Sequence, residues 1–256
     1  MSDFLVFQLY GPLCSWGGVA VGQERPTETH PTKSAIVGII AAALGVRRED
    51  ENAQRDLIEG YGLAIRTELP GVLERDYHTA ESPSSTSLVG MPHITRRDEL
   101  KAVAQRDNAI VSSREYRTDA LNLVAIWEHS EAPHSLDNIA QAIKSPYFTL
   151  YLGRKSFTLS LPLNPTIVSS NNLRNVFAKA DIEFSDSHPF LAPLFSTRNT
   201  VIWQWDSDFK NSGFDHSMEI IRRDVPLNRE RWQFTERTES QFVETPTNSS
   251  KGVQND

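Results

Sequence analysis

Residues 3–10 read DFLVFQLY, a continuous apolar run rich in Phe, Leu and Val that Gly11 and Pro12 bring to a close. A short run without alternation predicts a strand buried on both faces. Beyond a loop punctuated by Gly and Pro, the residues Ile36, Val37, Ile39, Ile40, Ala43 and Leu44 recur at helical spacing. Thr32 suits the N-cap of that helix and Gly45 its C-terminal stop. The charged stretch RREDENAQRDLIEG (47–60) reads as a solvated segment, and YGLAIRTE (61–68) as a second strand. Further on, ALNLVAIW (120–127) is a third strand, and Leu136, Ile139, Ala140 and Ile143 mark a short helix capped by Ser135 or Asp137. YFTLYL (147–152) follows as a fourth strand. Strand, helix, strand, insertion, strand, helix, strand is an α+β pattern: a ferredoxin-like (RRM-like) βαββαβ core, its antiparallel sheet covered by two helices on one face and open to a ligand on the other.

The insertion lies between the second and third strands. Residues 69–114 are polar, with Arg96, Arg97, Lys101 and Arg106 among them, and the segment from about 80 to 113 joins two apolar strands that pair within one sheet. It is therefore expected to project. The core with this insertion is assigned to residues 1–165, a smaller β-rich region to 166–240, and a disordered tail to 241–256, where TPTNSSKGVQND (245–256) holds a single apolar residue.

The 256 residues carry 26 Lys and Arg against 33 Asp and Glu, a net charge of −7. That excludes indiscriminate nucleic-acid binding, although a local basic groove remains compatible with it because charge acts over a Debye length of about 8 Å. The one cysteine, Cys14, supports neither a disulfide nor a zinc finger, so a reducing, cytoplasmic setting is expected. The N-terminus lacks the basic region of a signal peptide, and the longest apolar run, residues 35–46, is too short to span a bilayer; no membrane partner is expected.

Signatures of catalysis are weak. Lys33-Ser34 resembles the end of a P-loop, but Thr27 and Thr32 stand where that motif needs glycine. Asp76 and His78 share a strand face and could join His30 around a metal, yet no further ligand has clear spacing, and they read as a structural pair. Asp206 and Asp208 read as a solvated turn rather than a cation site. Tyr77, His78, His30 and Lys33 are the residue types of a metal-independent ribonuclease; the alternative is that the tyrosine packs and the histidines make ordinary hydrogen bonds. The basic residues at structural punctuation say more. Arg25 precedes the first helix, Lys33 opens it, Arg114 and Arg117 bracket Tyr116, and Arg154 and Lys155 follow Gly153. A lysine in a first helical turn opposes the helix dipole unless an anion is bound there. Singly each is a surface charge; together they point to a nucleic-acid groove.

Six blocks, GPLCSWG (11–17), ERPT (24–27), PTKSAIVGIIAAALG (31–45), DYHT (76–79), REYRTDA (114–120) and LYLGRKSFTLSLPL (150–163), occur in this order. The sequence thereby resembles the CasD, or Cas-five, family of type I-E CRISPR Cascade subunits, in the RAMP superfamily. The resemblance implies a non-catalytic subunit in antiviral DNA interference, without cofactor, that caps the 5′ handle of the guide RNA (crRNA). It implies a β-hairpin thumb on the backbone subunit, a place beside the large subunit, and contact with target DNA only through the assembled complex. It also implies that Trp16, Arg25, Lys33, Arg47, Arg48, Arg114, Arg117, Arg154 and Lys155 touch the handle; if the projecting insertion is the thumb, its Arg96, Arg97, Lys101 and Arg106 are expected to face the guide. Type I-C relatives cut precursor RNA, which keeps an endoribonuclease with Tyr77, His78, His30 and Lys33 as the alternative.

Overall fold

In a computed structural model the described residues are 1–91, 94–101, 109–180, 189, 193–194, 200–228, 231 and 233–245. The chain runs β1 (Ser2–Cys14), β2 (Glu24–Arg25), α1 (Lys33–Leu44), α2 (Glu51–Glu59), β3 (Tyr61–Leu69), β4 (Val72–Ala80), α3 (Arg96–Lys101) and β5 (Ile110–Glu128). It continues with α4 (Leu136–Lys144), β6 (Thr166–Ser170), α5 (Leu173–Lys179), β7 (Val201–Asp206), β8 (Met218–Asn228) and β9 (Gln233–Glu244). The mixed α/β architecture is built on one sheet of order β6-β1-β5-β3-β7-β9-β8.

The long strand β5 is its spine. Its C-terminal half lies between β1, with Leu5 opposite Ile126, and β3, with Ile65 opposite Val124. Its N-terminal half pairs instead with β4, from Val72 opposite Thr118 to Ala80 opposite Ile110, as a ribbon beyond the body of the sheet. Gly71 makes the step from β3 to β4 at φ 69°, where a Cβ would stand 2.4 Å from the Thr118 carbonyl oxygen. Ala80 and Ile110 hold together the two ends of the polar insertion. No helix among the described residues is long and apolar enough to cross a membrane.

Helix α1 has the caps its sequence calls for. Thr32 Oγ1 accepts the Ala35 N–H, and Gly45 turns left-handed at φ 79°. The segment expected to be solvated contains α2 instead: Asp50 caps it, and Leu57 and Ile58 bury while Glu51, Asn52, Arg55 and Asp56 stay exposed. Residues 147–152 are not a strand; Tyr151 forms an isolated bridge to Thr158, and the antiparallel neighbour of β1 on the side away from β5 is β6. The physical reason is Gly153, whose left-handed φ of 87° turns the chain tightly against Ser15. The strand β9 runs to Glu244, past the expected tail boundary at 241, and residues 246–256 lie outside the described residues.

Both faces of the sheet are buried, which corrects the expectation of an open one. Leu5, Phe7, Leu9, Ile65 and Val124 pack beneath α1 and α4. On the other side Phe4, Val6, Leu123 and Ala125 pack with Phe177 of α5 and with Trp203 and Trp205 of β7. The unbroken apolar run of β1 reflects this two-sided burial. Strands β7, β9 and β8 continue the sheet from β3.

Charge bolts that extension to α1. The Arg237 guanidinium on β9 donates to Asp224 Oδ1 at 2.8 Å, to Asp206 Oδ1 at 2.9 Å and to Glu239 Oε2 at 2.6 Å. Asp224 also accepts the Lys33 backbone N–H at 2.8 Å, while Lys33 Nζ donates to Asp206 at 3.0 Å. Asp206, expected in a solvated turn, is a buried hub of this network. Burial alone would raise the Glu239 carboxyl, but the hydrogen bond and charge of His30, with Arg237 and Arg222, hold it at about 2. Glu239 thus stabilises the fold above its ordinary value of 4.5, and this contribution, about 3 kcal/mol, is lost as pH falls from there towards 2. Urea midpoints should fall across that window for the wild type and much less for Glu239→Gln. Replacing Arg237 by Met leaves buried Asp224 to the Lys33 backbone N–H, Asp206 to the Lys33 ammonium and Glu239 to His30 and Arg222, and should cost about 3–5 kcal/mol at pH 7 in the same measurement.

Candidate nucleic-acid interface

A groove of about 1680 Å³ lies over the N-terminal part of α1, between the loop of residues 15–28 with the 150–154 turn and the strands β8 and β9. Its floor is smooth for a sequence reason. Ser34, Gly38 and Ala42 recur every four residues, so one face of α1 carries little side chain.

One wall gathers three arginines. The parallel pairing of β2 with β5 sets Arg25 beside Arg114, and Arg25 Nη1 donates to the Gly22 and Glu24 carbonyls at 2.7 and 2.8 Å. Arg154 is presented by the glycine turn: Ser15 N–H donates to Leu152 O at 3.0 Å and Phe157 N–H to Arg154 O at 2.8 Å. Its guanidinium donates to Glu115 O at 2.8 Å and lies 5.1 Å from the Phe157 ring centroid. Burial, then the charge of Arg114, lowers the Arg154 pKa. An anion beside two guanidiniums that disfavour each other on one wall would relieve both.

Other expected contacts are placed elsewhere. Lys33, taken from its position as a phosphate ligand, spends its ammonium on Asp206, and the α1 N-terminus it opens is met by Asp224. Arg117 donates to the Glu28, Pro70 and Gly71 carbonyls; it is a half-buried tie between the 15–28 loop and the β3–β4 step. Beside it Cys14 is buried, its thiol pushed up to about 12 by desolvation. Trp16 is buried at the groove's edge, its backbone N–H donating to Thr27 Oγ1 at 2.9 Å and its carbonyl accepting from Thr32 Oγ1 at 3.0 Å. Arg47 and Arg48 follow the far end of α1, about 18 Å along its axis from Lys33. Lys155 is exposed next to Arg154. Arg96 and Arg97 lie on α3 in the hairpin tip, Arg96 paired with Glu99 at 2.8 Å, and Arg106 lies outside the described residues.

The four residues of the ribonuclease alternative are not assembled. His30 is buried against Glu239 at 3.1 Å, and Lys33 belongs to the same ion network. Tyr77 and His78 sit on β4, where consecutive side chains point to opposite faces; Tyr77 is 69% exposed, and His78 Nε2 is 2.6 Å from Asp76 Oδ2. Among the described residues no three His, Cys, Asp or Glu side chains are grouped to hold a metal. The second wall of the groove, from β8 and β9, escaped sequence reasoning, since no spacing signal links residues 220–234 to Arg25.

Comparison with known proteins gives this arrangement a relationship. The family model described as CRISPR-associated protein (Cas_Cas5) matches residues 4–239. The CRISPR system Cascade subunit CasD of Escherichia coli (strain K12) is 30% identical over 173 residues, 64% of this chain and 70% of that protein. A chain of a CRISPR RNA-guided surveillance complex superposes with a TM-score of 0.61 at 25% identity, covering 95% of this chain and 90% of its own length. A crystal structure of a Cas protein shares the fold, with a TM-score of 0.57 at 22% identity over 94% of this chain and 95% of that one. With a family match that runs through nearly every element described above, the chain belongs to the CRISPR-associated Cas5 family.

Proposed function

We propose that this protein is a non-catalytic, cytoplasmic subunit of a type I-E Cascade complex that holds the 5′ handle of the guide RNA in the groove over α1. The observation that carries the reading is the convergence of Arg25, Arg114 and Arg154 on one wall of a groove in a chain of net charge −7. Cations concentrated at one place on an acidic protein favour a polyanion there and nowhere else. We read the antiparallel run β6-β1-β5-β3, with α1 and α2 in one connection and α4 in the other, as a ferredoxin-like core. The ribbon β4–β5 is the base of a thumb that docks on the backbone subunit, with the large subunit a further neighbour, and target DNA is met only through the assembly. Membership of the family and the relative named a Cascade subunit support this reading.

Replacing Arg25, Arg114 or Arg154 by Ala should each lower the salt slope of affinity for labelled CRISPR repeat RNA by about 0.7. Lys33→Ala should instead leave the slope unchanged and lower the melting temperature, because its ammonium is bound to Asp206. Equal slopes in all four variants would remove the groove from consideration.

The same RNA incubated with pure protein in EDTA should be retained uncut. Specific cleavage that disappears in His78→Ala would assign the chain to the endoribonuclease class instead. Replacing residues 82–108 by a short Gly/Ser turn should keep a folded protein, since the Ala80–Ile110 pair already closes the ribbon. The shortened protein should fail to co-purify with backbone subunit and guide RNA; assembly at the wild-type level would show that the thumb is not the docking element.

A further inference from the structure

The groove has a second wall. Facing the arginines are β8 and β9, which line it with Ile220, Leu227 and Phe234 alongside Arg222, Arg223 and Asp224; Arg222 is paired with Glu28, and Arg223 donates to the Phe234 carbonyl. Leu227 is 69% exposed. An isolated exposed leucine needs no explanation, but this one borders a groove next to an aromatic ring on a hairpin held rigidly from several directions. Asp224 fixes the hairpin to the N-terminus of α1. Arg222 donates to Glu28 at 3.2 Å, and Asn228 Nδ2 to Glu51 on α2 at 2.9 Å. The wall is therefore preformed. Trp16, 3% exposed, borders the same groove, and its indole N–H, closed off from solvent, has no acceptor among the described residues.

A single strand of RNA is itself two-sided, with phosphates along one edge and base faces along the other. Arginines on one wall, small side chains on the floor and apolar groups opposite are complementary to that cross-section. We infer that the β8–β9 hairpin is the base-binding wall of this groove, Leu227 and Phe234 seating an unstacked base of the RNA whose phosphates meet Arg25, Arg114 and Arg154. The inference rests on the RNA-binding reading above and extends it to a part of the chain that no sequence motif singles out. Contact with base faces carries no charge, so it adds affinity without adding to the salt slope.

The test compares full-length proteins by fluorescence anisotropy on a labelled single-stranded RNA of about ten nucleotides and on an abasic strand of the same length. Leu227→Ser should bind the RNA about fivefold more weakly, and the Leu227→Ser, Phe234→Ala pair about tenfold or more, each with the wild-type salt slope. On the abasic strand these variants should match the wild type, while Arg25→Ala and Arg154→Ala remain impaired. The exposure of Leu227 keeps the single variant folded, which its melting temperature verifies. If the hairpin variants bind RNA as the wild type does while the arginine variants weaken, the base-binding wall is refuted and the groove reading stands. Equal losses on both strands also refute it, since the lost contact is then not to a base. A wild-type protein that binds neither strand overturns the groove reading itself.

Discussion

The Arg237 guanidinium is the point on which the rest depends. It lies buried among Asp206, Asp224 and Glu239, carboxylates from three strands, and burial of that many charges is tolerable only because each finds a partner. From it a continuous path of hydrogen bonds crosses the groove. Asp224 meets the first amide of α1. Thr32, the cap of that helix, donates to Trp16 O, and the Trp16 backbone N–H donates to Thr27. The Thr27 N–H reaches the Glu115 carboxylate, whose own backbone carbonyl accepts from Arg154. Hairpin, helix and arginine wall are thus held in one frame, so the width of the groove is set by polar contacts as well as by the apolar core.

That frame explains why a basic wall persists on an acidic protein. Glu115 stands within the wall, held below the usual carboxylate range chiefly by its hydrogen bond to Arg75. Its charge is thereby committed to a neighbour instead of cancelling Arg154, from which it takes only a backbone contact. Arg25 and Arg154 are anchored through carbonyl oxygens, which fix a guanidinium without neutralising it, while Arg114 donates to the Ser112 hydroxyl. Arg222, by contrast, is paired with the Glu28 carboxylate and Arg96 with Glu99 on its own helix, while Arg117 is half-buried as a tie between the 15–28 loop and the β3–β4 step.

What could be read from sequence follows the range of the interactions involved. The first strand, α1 with both caps, the strand through residues 120–127 and the closure of the insertion depend on neighbours within a few turns or on one sheet register, and all are present. The helix α2 was missed because Leu57 and Ile58 are too few to show a period, though Asp50 offered a cap. Residues 147–152 misled because aromatic residues are strand-like by composition, while Gly153 and its contact with Ser15 impose a turn. The site was legible only in part for the same reason. Arg25 and Arg114 pair on neighbouring strands and line one groove with Arg154 of the glycine turn, but the pairing of Lys33 with Asp206 spans 173 positions and leaves no local trace.

Lys33 shows how motif position and chemical role can separate. A cation at the first turn of a helix suggests a bound anion, and one is indeed present: it is supplied by the protein, as Asp206 for the ammonium and Asp224 for the helix amide. The helix N-terminus is therefore already satisfied, and an external phosphate placed there would have to displace two carboxylates that Arg237 holds in place. An external phosphate would meet fewer obstacles at the other wall, where Arg114 and Arg154 act unfavourably on each other. The buried network and the groove are two halves of one electrostatic arrangement, in which the α1 end is neutralised internally and positive charge is gathered at Arg25, Arg114 and Arg154.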